Sequence, residues 1–359
     1  MSDYSVPMTV ATILDAGGPI LRRGVTVDSF ATTWAQLFRV LKLAFAKTTL
    51  EGSATCEYRH SCSVRDISQR DGKIDVRMTT GTDEEETLTA DLVIGADGAS
   101  SKVREIMLPE IKRTYAGYVL VRGLVPVEQL SEDSRKTLDS SATLCFTRGS
   151  QAISYVVPGN NDGPPDSHNL LNWGWYQEKS EAGLEELMTD VTGKRYLFTL
   201  PQGGMREEIA DEIRTKAQKE LPPQLAEAVA KTKAPFVQVI TDALASKNAF
   251  SGGKVLLVGD AAAGQRPHPA SAVTQACFHA HLLRLHLQGL VSLEEWTKET
   301  AAVSQALVSA GQEMGPICLS EEIDPRQKAQ LFIAELLSCQ RLMAEKWAAF
   351  SKMGEKKLA

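Results

Sequence analysis

No stretch of this sequence approaches the roughly 20 consecutive apolar residues of a membrane helix. Its longest apolar runs, such as Val255-Leu256-Leu257-Val258, have only strand length. The first residues carry Asp3 and no basic-then-apolar pattern, so secretion is not expected and a cytoplasmic location is. Lysine and arginine (39) fall short of aspartate and glutamate (45), giving a formal charge of −6 with no basic block. That balance argues against a nucleic-acid footprint. Cysteines number six, at 56, 62, 145, 277, 318 and 339, and no two are spaced C-x-x-C. A zinc site or thioredoxin-like motif is therefore unsupported; Cys56 and Cys62 flank a strand turn and can meet, but six reduced thiols are the expectation. His279, His281 and His286 lack a carboxylate or cysteine at ligand spacing, and the first two point to different helix faces, so no metal is expected. What remains is 43% hydrophobic and 23% charged over 359 residues, a globular composition sized for about two domains.

The chain reads as strands and helices without a repeat. Met8 to Leu14 favours a strand ending at the turn signal Asp15-Ala16-Gly17-Gly18-Pro19. From Trp34 to Phe45, apolar positions 34, 37, 38, 41 and 45 recur at helical spacing, with Thr32 or Thr33 as cap. Asp71-Gly72 marks a hairpin between strands in 55–80, and Asp83-Glu84-Glu85-Glu86 reads as a solvated hairpin turn. Residues 115–177 are β-rich, 181–190 and 205–231 helical, and everything beyond about 270 mainly helical, with breaks near Gly315-Pro316 and Asp324-Pro325 and a fraying surface helix toward Lys356-Lys357. Two short apolar strands each open onto glycine and aspartate, with the β-rich insert between them, which predicts an α/β fold of two lobes. In such sheets ligands sit beyond the carboxyl ends of the strands.

The two strand ends carry the chemistry. In Val258-Gly259-Asp260-Ala261-Ala262, Gly259 allows a sharp turn and Asp260 offers an acceptor-only carboxylate suited to paired hydroxyls. Taken alone the segment also fits an ordinary strand-to-helix turn with an aspartate cap. In Gly95-Ala96-Asp97-Gly98-Ala99-Ser100-Ser101-Lys102-Val103-Arg104, the glycines free a loop whose N–H groups can face phosphate, and Arg104 can add a forked cationic contact. Asp97 is better suited to ordering the loop or binding a hydroxyl, because like charges repel.

Together, Asp91-x3-Gly95-Ala-Asp97-Gly98-x2-Ser101-x-Val103-Arg104 and the later Gly259-Asp260-Ala-Ala with Arg266-Pro267-His268 resemble the flavoprotein aromatic hydroxylases of the p-hydroxybenzoate hydroxylase fold. Further segments are similar to the 2,6-dihydroxypyridine hydroxylase branch. They are Thr33-Trp34-x2-Leu37-x-Arg39-x-Leu41, Tyr115-Ala116-Gly117-Tyr118 with Arg122-Gly123-Leu124-Val125-Pro126, Asn172-Trp173-x-Trp175-Tyr176, Leu221-Pro222-Pro223-Gln224 and Pro235-Phe236-Val237-Gln238. The resemblance, which runs from about residue 8 to 310, implies hydroxylation of a hydroxylated aromatic or N-heteroaromatic small molecule with FAD, NAD(P)H and O₂. It implies Asp260, Gly259 and Ala261 at the FAD ribitol, Pro267 against the flavin ring, and Asp97, Gly98 and Arg104 toward the pyrophosphate.

No G-x-G-x-x-G occurs in the sequence, which starts where the family is past its first βαβ unit, so an incomplete Rossmann-type FAD lobe is expected. That lobe is assigned to 1–110 and 245–312, a β-rich substrate lobe to 111–244 and a helical tail to 313–359. A flavin-free relative acting as a pseudoenzyme, a binding protein or a non-redox catalyst stays open as the alternative, as does a homodimer. After Pro267 the family's glycine falls on Ala272, where a positive φ would strain alanine, and His279 stands where the family has an acid. Trp173 and Trp175 share one strand face and are candidates for a substrate-stacking wall, with core burial the competing reading. His268 is the candidate acid–base group for a ring hydroxyl, loop hydrogen bonding its alternative; Arg266 is expected to pair with a carboxylate.

Overall fold

In a computed structural model, residues 4–51, 55–82, 84–139, 141–159 and 169–355 are described, the side chains of 25–28, 48–51 and 352–355 excepted. The chain runs β1 (Val6–Leu14), β2 (Ile20–Ala31), α1 (Trp34–Glu51), β3 (Ser63–Arg70), β4 (Lys73–Thr79), β5 (Glu85–Ala90), β6 (Val93–Gly95) and α2 (Lys102–Met107). It continues through β7 (Thr114–Pro126), α3 (Glu132–Leu138), β8 (Ser141–Thr147), β9 (Ser150–Val157), β10 (Leu170–Glu178), α4 (Glu181–Leu187), β11 (Thr199–Leu200), α5 (Glu207–Glu220) and α6 (Pro223–Lys231). The last part holds β12 (Phe236–Leu244), β13 (Ala249–Phe250), β14 (Val255–Leu257), β15 (Ala263–Gly264), α7 (Ala272–Leu287), α8 (Leu293–Leu319) and α9 (Pro325–Glu355).

Local chemistry fixes several of these elements. The β1–β2 turn closes as Gly18 N donates to Asp15 O (2.9 Å) and Gly17 N to the Asp15 carboxylate (3.1 Å). Thr33 caps α1, its Oγ1 accepting from Gln36 N at 3.2 Å. Asp71 and Gly72 take φ of 51° and 75°, the left-handed pair that a tight β3–β4 hairpin requires.

The described residues form two compact units, and the sequence-based boundary at 110/111 shifts. The first unit joins residues up to Glu57 with Gly117–Ile240 and Cys318–Ala329; the second joins Tyr58–Ala116, Thr241–Ile317 and Gln330 onward. The N-terminal hairpin belongs with the sheet because β1 pairs β8 in parallel, Val10 opposite Ser141 through Leu14 opposite Cys145. That sheet has the order β11-β12-β7-β10-β9-β8-β1-β2. Trp173 and Trp175 lie on its α-covered face with Leu225, Ala228 and Val229 also buried in this unit.

In the second unit β6 and β14 run parallel, Val93 opposite Val255 and Gly95 opposite Leu257, with β13 antiparallel beyond β14. Apolar side chains from β14 and α2, among them Val255, Leu257 and Val103, form one core. Helices α7, α8 and α9 form another around Phe278, Trp296, Cys339 and Phe350. Helix α9 is a surface helix with one packed face, and Lys356-Lys357, where fraying was expected, lie outside the described residues. Pro316 does not break α8: it removes one N–H donor in the last turn, where little helix remains beyond it to be redirected, and the chain breaks only before Pro325. The acidic run lies at the end of the β4–β5 hairpin turn, which closes as Thr80 N donates to Glu84 O at 3.0 Å. Glu85 and Glu86 open β5, Glu86 pairs with Arg59 at 2.5 Å, and Asp83 is outside the described residues.

Candidate functional site at the ends of two parallel strands

The two glycine–aspartate turns meet. Because β6 and β14 are hydrogen-bonded neighbours, the Asp97–Gly98 loop and the Gly259–Asp260 turn leave the sheet side by side. Arg104 ties them together. Its Nη1 donates to Asp260 O (3.2 Å) and Ala261 O (2.9 Å), and its Nη2 to Ala99 O (2.5 Å). The guanidinium is thereby spent on backbone carbonyls. This corrects the expectation that Arg104 reaches a phosphate.

Asp97 is also committed locally. One carboxylate oxygen accepts from Ser101 Oγ (2.5 Å) and the other from Lys102 N (2.6 Å) and Val103 N (3.0 Å). Such acceptance at a helix start satisfies orphan N–H groups and suits the helix dipole. Asp97 orders the loop, the role that like-charge repulsion favoured, rather than reaching for a ligand. Gly98 has φ of 76° and open space where a side chain would stand.

Asp260 is different. Its carboxylate accepts no hydrogen bond among the described residues, although the residue is only partly exposed. Burial pushes its pKa up, and the positive charges of Arg113 and Arg104 pull the other way. Gly259 holds the turn at φ 57° with Ala276 Cβ 3.3 Å from where its own Cβ would be. Sequence reasoning missed Arg113, which has no motif around it. Its guanidinium is oriented by Thr241 Oγ1 (2.8 and 3.0 Å) and Ser100 Oγ (2.8 Å). A free carboxylate and an oriented cation fit a hydroxyl-rich, anionic group such as the ribitol–pyrophosphate of FAD.

His279 fixes the turn from behind. Gly259 N donates to its Nδ1 at 3.1 Å, which assigns the proton to Nε2, 3.4 Å from Ser304 Oγ. An acid in this place would be a buried charge; a neutral imidazole accepts the same N–H. Burial lowers its pKa to about 4. The unfolded chain then takes up a proton near pH ~6.5 while the folded one does not, so stability falls as pH drops from about 6.5 toward about 4. Urea titrations across that range should show H279Q removing up to ~1.4 kcal/mol per pH unit from the slope and leaving the part that belongs to the buried His268. Identical profiles for wild type and H279Q would exclude the assignment.

Other expected site residues move away from the chemistry. His268 is buried, its ring edge-on to Phe332 at 6.4 Å, and burial with the nearby Arg266 charge lowers its pKa to about 3. A base that weak and that enclosed does not deprotonate a ring hydroxyl, which corrects that assignment. Trp173 and Trp175 are core residues: their Nε1 groups donate to Thr232 Oγ1 (2.7 Å) and Ser150 Oγ (2.9 Å). Neither indole offers a face to a ligand. Ala261 is buried and contributes only its carbonyl. Arg266 does pair with a carboxylate, at 2.7 Å, but the partner is Asp242 of β12 and not a residue of its own loop.

The loop at Pro267 turns tightly, Ala270 N donating to Pro267 O at 2.9 Å. Its left-handed residue is Ala270 (φ 52°), whereas Ala272 begins α7 in ordinary helical geometry. The strain expected at Ala272 therefore sits two residues earlier. A270G should raise unfolding stability by about 1 kcal/mol, read from the urea midpoint. An unchanged or lowered midpoint would show the loop to be unstrained.

The chain is an α/β protein of two units, and solved aromatic hydroxylases share its fold. Residues 115–242 match the family described as FAD binding domain-like. The sequence is 32% identical over 227 residues to 2,6-dihydroxypyridine 3-monooxygenase of Paenarthrobacter nicotinovorans, covering 63% of this chain and 54% of that protein. The match thus spans about half the length of that curated relative. The solved 2,6-dihydroxypyridine-3-hydroxylase from Arthrobacter nicotinovorans superposes with a TM-score of 0.78 at 25% identity, over 90% of this chain and 79% of that one. A salicylate hydroxylase substrate complex shares the fold at a TM-score of 0.69 and 15% identity, over 98% and 83% of the two chains. No described helix is long and apolar enough to cross a membrane, and no described cluster of His, Cys, Asp or Glu could hold a metal.

Proposed function

We propose that the protein is an FAD-dependent monooxygenase of the cytoplasm that hydroxylates a hydroxylated aromatic or N-heteroaromatic small molecule with NAD(P)H and O₂. The observation that carries this reading is the Asp260 carboxylate: half-buried, without a hydrogen-bond donor, and aligned by Arg104 with the loop after β6. The 2,6-dihydroxypyridine relative supports the reaction class.

Bound FAD would supply the redox chemistry: reduction by NAD(P)H and activation of O₂, one oxygen atom going to the ring and the other to water. The chain's part is to bind and orient. Asp260 accepts from the ribitol hydroxyls, Gly98 keeps the loop low enough for close approach, and Arg113 sets a positive charge near the pyrophosphate. Pro267 and the Ala270 turn shape the edge against the flavin ring.

The test is a visible spectrum of the purified chain after incubation with micromolar FAD and gel filtration. A retained yellow chromophore, and NADH or NADPH oxidation quickened by 2,6-dihydroxypyridine or a related ring, is the expected result. A colourless protein at all FAD concentrations would overturn the reading and leave a flavin-free binding protein in its place.

A further inference from the structure

Among the described residues, seven of the sixteen large hydrophobic side chains left exposed fall within residues 20–45. The scatter normal to a soluble surface does not explain that concentration. Helix α1 carries four of them: Trp34 (78% exposed), Leu41 (60%), Leu43 (55%) and Phe45 (39%). Helical spacing sets Trp34, Phe38, Leu41 and Phe45 along one stripe, and the Trp34 and Phe38 rings stack on it at 5.2 Å. The opposite side is held near the helix start, where Gln36 is buried and its Nε2 donates to Gly159 O at 3.4 Å. From Leu41 to Lys47 every residue is exposed, so no face of this half of the helix is buried. The charges on it are of one sign. Arg39, Lys42 and Lys47 are exposed, and no acidic residue occurs from Trp34 to Lys47, in a chain whose net charge is −6. Lys42 Nζ lies beside the stripe, 5.9 Å from the centre of the Phe38 ring. The edge strand β2 just before the helix adds exposed Arg22, Arg23 and Phe30.

A helix in a protein owes most of its stability to burying an apolar face, and the outer stripe of α1 buries little. Trp, Phe and Leu on one side with Lys and Arg on the rest is the pattern of a helix that lies in the plane of a membrane surface. Its rings enter the boundary between headgroups and acyl chains, and its cations meet anionic lipid. The stripe from Trp34 to Phe45 runs about 17 Å, enough to lie on a bilayer and far too short to span one. A second copy of the chain fits less well. Two such helices packed stripe to stripe would bring like charges together, with no acid between Trp34 and Lys47 of either to offset them. We propose that α1 docks the protein on an anionic bilayer surface, with Trp34, Leu41 and Phe45 entering the interface and Arg39, Lys42 and Lys47 meeting the lipid headgroups. The proposal is independent of the flavin reading, which requires no membrane.

Sedimentation of the full chain with vesicles tests this. Vesicles of phosphatidylcholine alone are compared with vesicles of about three parts phosphatidylcholine to one of phosphatidylserine. The anionic vesicles should bind at least about tenfold more tightly, and raising the salt from about 0.1 to about 0.5 M should weaken that binding. Of the five tryptophans only Trp34 is exposed, the other four being buried or half-buried. Tryptophan emission should therefore shift to the blue on binding in the wild type and not in W34F. K42E/K47E should weaken binding at least about tenfold, each basic residue near an anionic surface being worth about fivefold. L41Q/F45Q should reduce it as far, and because all four positions are exposed the thermal midpoints of both variants should match wild type. Equal binding to neutral and anionic vesicles, binding to neither, or binding undiminished in L41Q/F45Q would overturn the proposal. So would a concentration-dependent dimer that L41Q/F45Q dissociates, a result that assigns the stripe to a second copy.

Discussion

D260A should lower FAD affinity on the order of 10- to 100-fold, the loss expected for charge-assisted hydrogen bonds from hydroxyls to a carboxylate. D260N should fall nearly as far, because an amide offers a weaker acceptor. The same substitutions should stabilise the protein without FAD. Burial raises the Asp260 pKa, so the folded state favours the neutral form and the ionised carboxylate is a strain at neutral pH. That strain is present above the folded-state pKa and vanishes below the unfolded carboxyl range of about 4. D260N should therefore gain about 1 kcal/mol at pH 7 and lose the advantage as the solution is acidified. Flavin fluorescence titration gives the first quantity and thermal melts at two pH values the second. FAD affinity unchanged within twofold in D260A would remove Asp260 from the site. A D260N variant less stable than wild type at pH 7 would mean that the carboxylate has a partner in solution.

Signals in one dimension carried the strands, the caps and the meeting of the turns. An apolar run that breaks at glycine and aspartate is readable wherever it occurs, and two of them on a parallel sheet converge by the rules of α/β folds. Helix α1 was legible from spacing alone, even though Trp34 and Leu41 of its apolar stripe are exposed. What stayed hidden depends on packing. Alternation placed Trp173 and Trp175 on a common face, but only the packed structure shows that both faces of β10 are buried there. His268 has an apt chemistry and position in sequence; burial alone disqualifies it. Arg113 reaches Thr241 across 128 residues of sequence, a contact that no string of residues records.

R104A should cost the second unit about 3–5 kcal/mol, among the largest single losses open to this chain. Arg104 is buried, and its side chain is the hydrogen-bond donor to Ala99 O, Asp260 O and Ala261 O. Truncation leaves those carbonyls facing a cavity, each carrying a desolvation cost of about 1–3 kcal/mol before local relaxation. Burial lowers the arginine pKa while Asp97 and Asp260 raise it, and the group remains charged across any accessible pH, so no titration rescues the variant. R104K should recover less than half of the loss, because one ammonium cannot fork toward carbonyls on two separate turns. Urea denaturation would report the fall in midpoint. The FAD titration of R104K, which keeps the charge but not the fork, tests the coupling to the site: its affinity should drop even though Arg104 itself touches no ligand. A loss under 1 kcal/mol in R104A, or normal FAD affinity in a folded R104K, would mean that the turns hold their positions without this bridge, the parallel pairing of β6 and β14 being then sufficient.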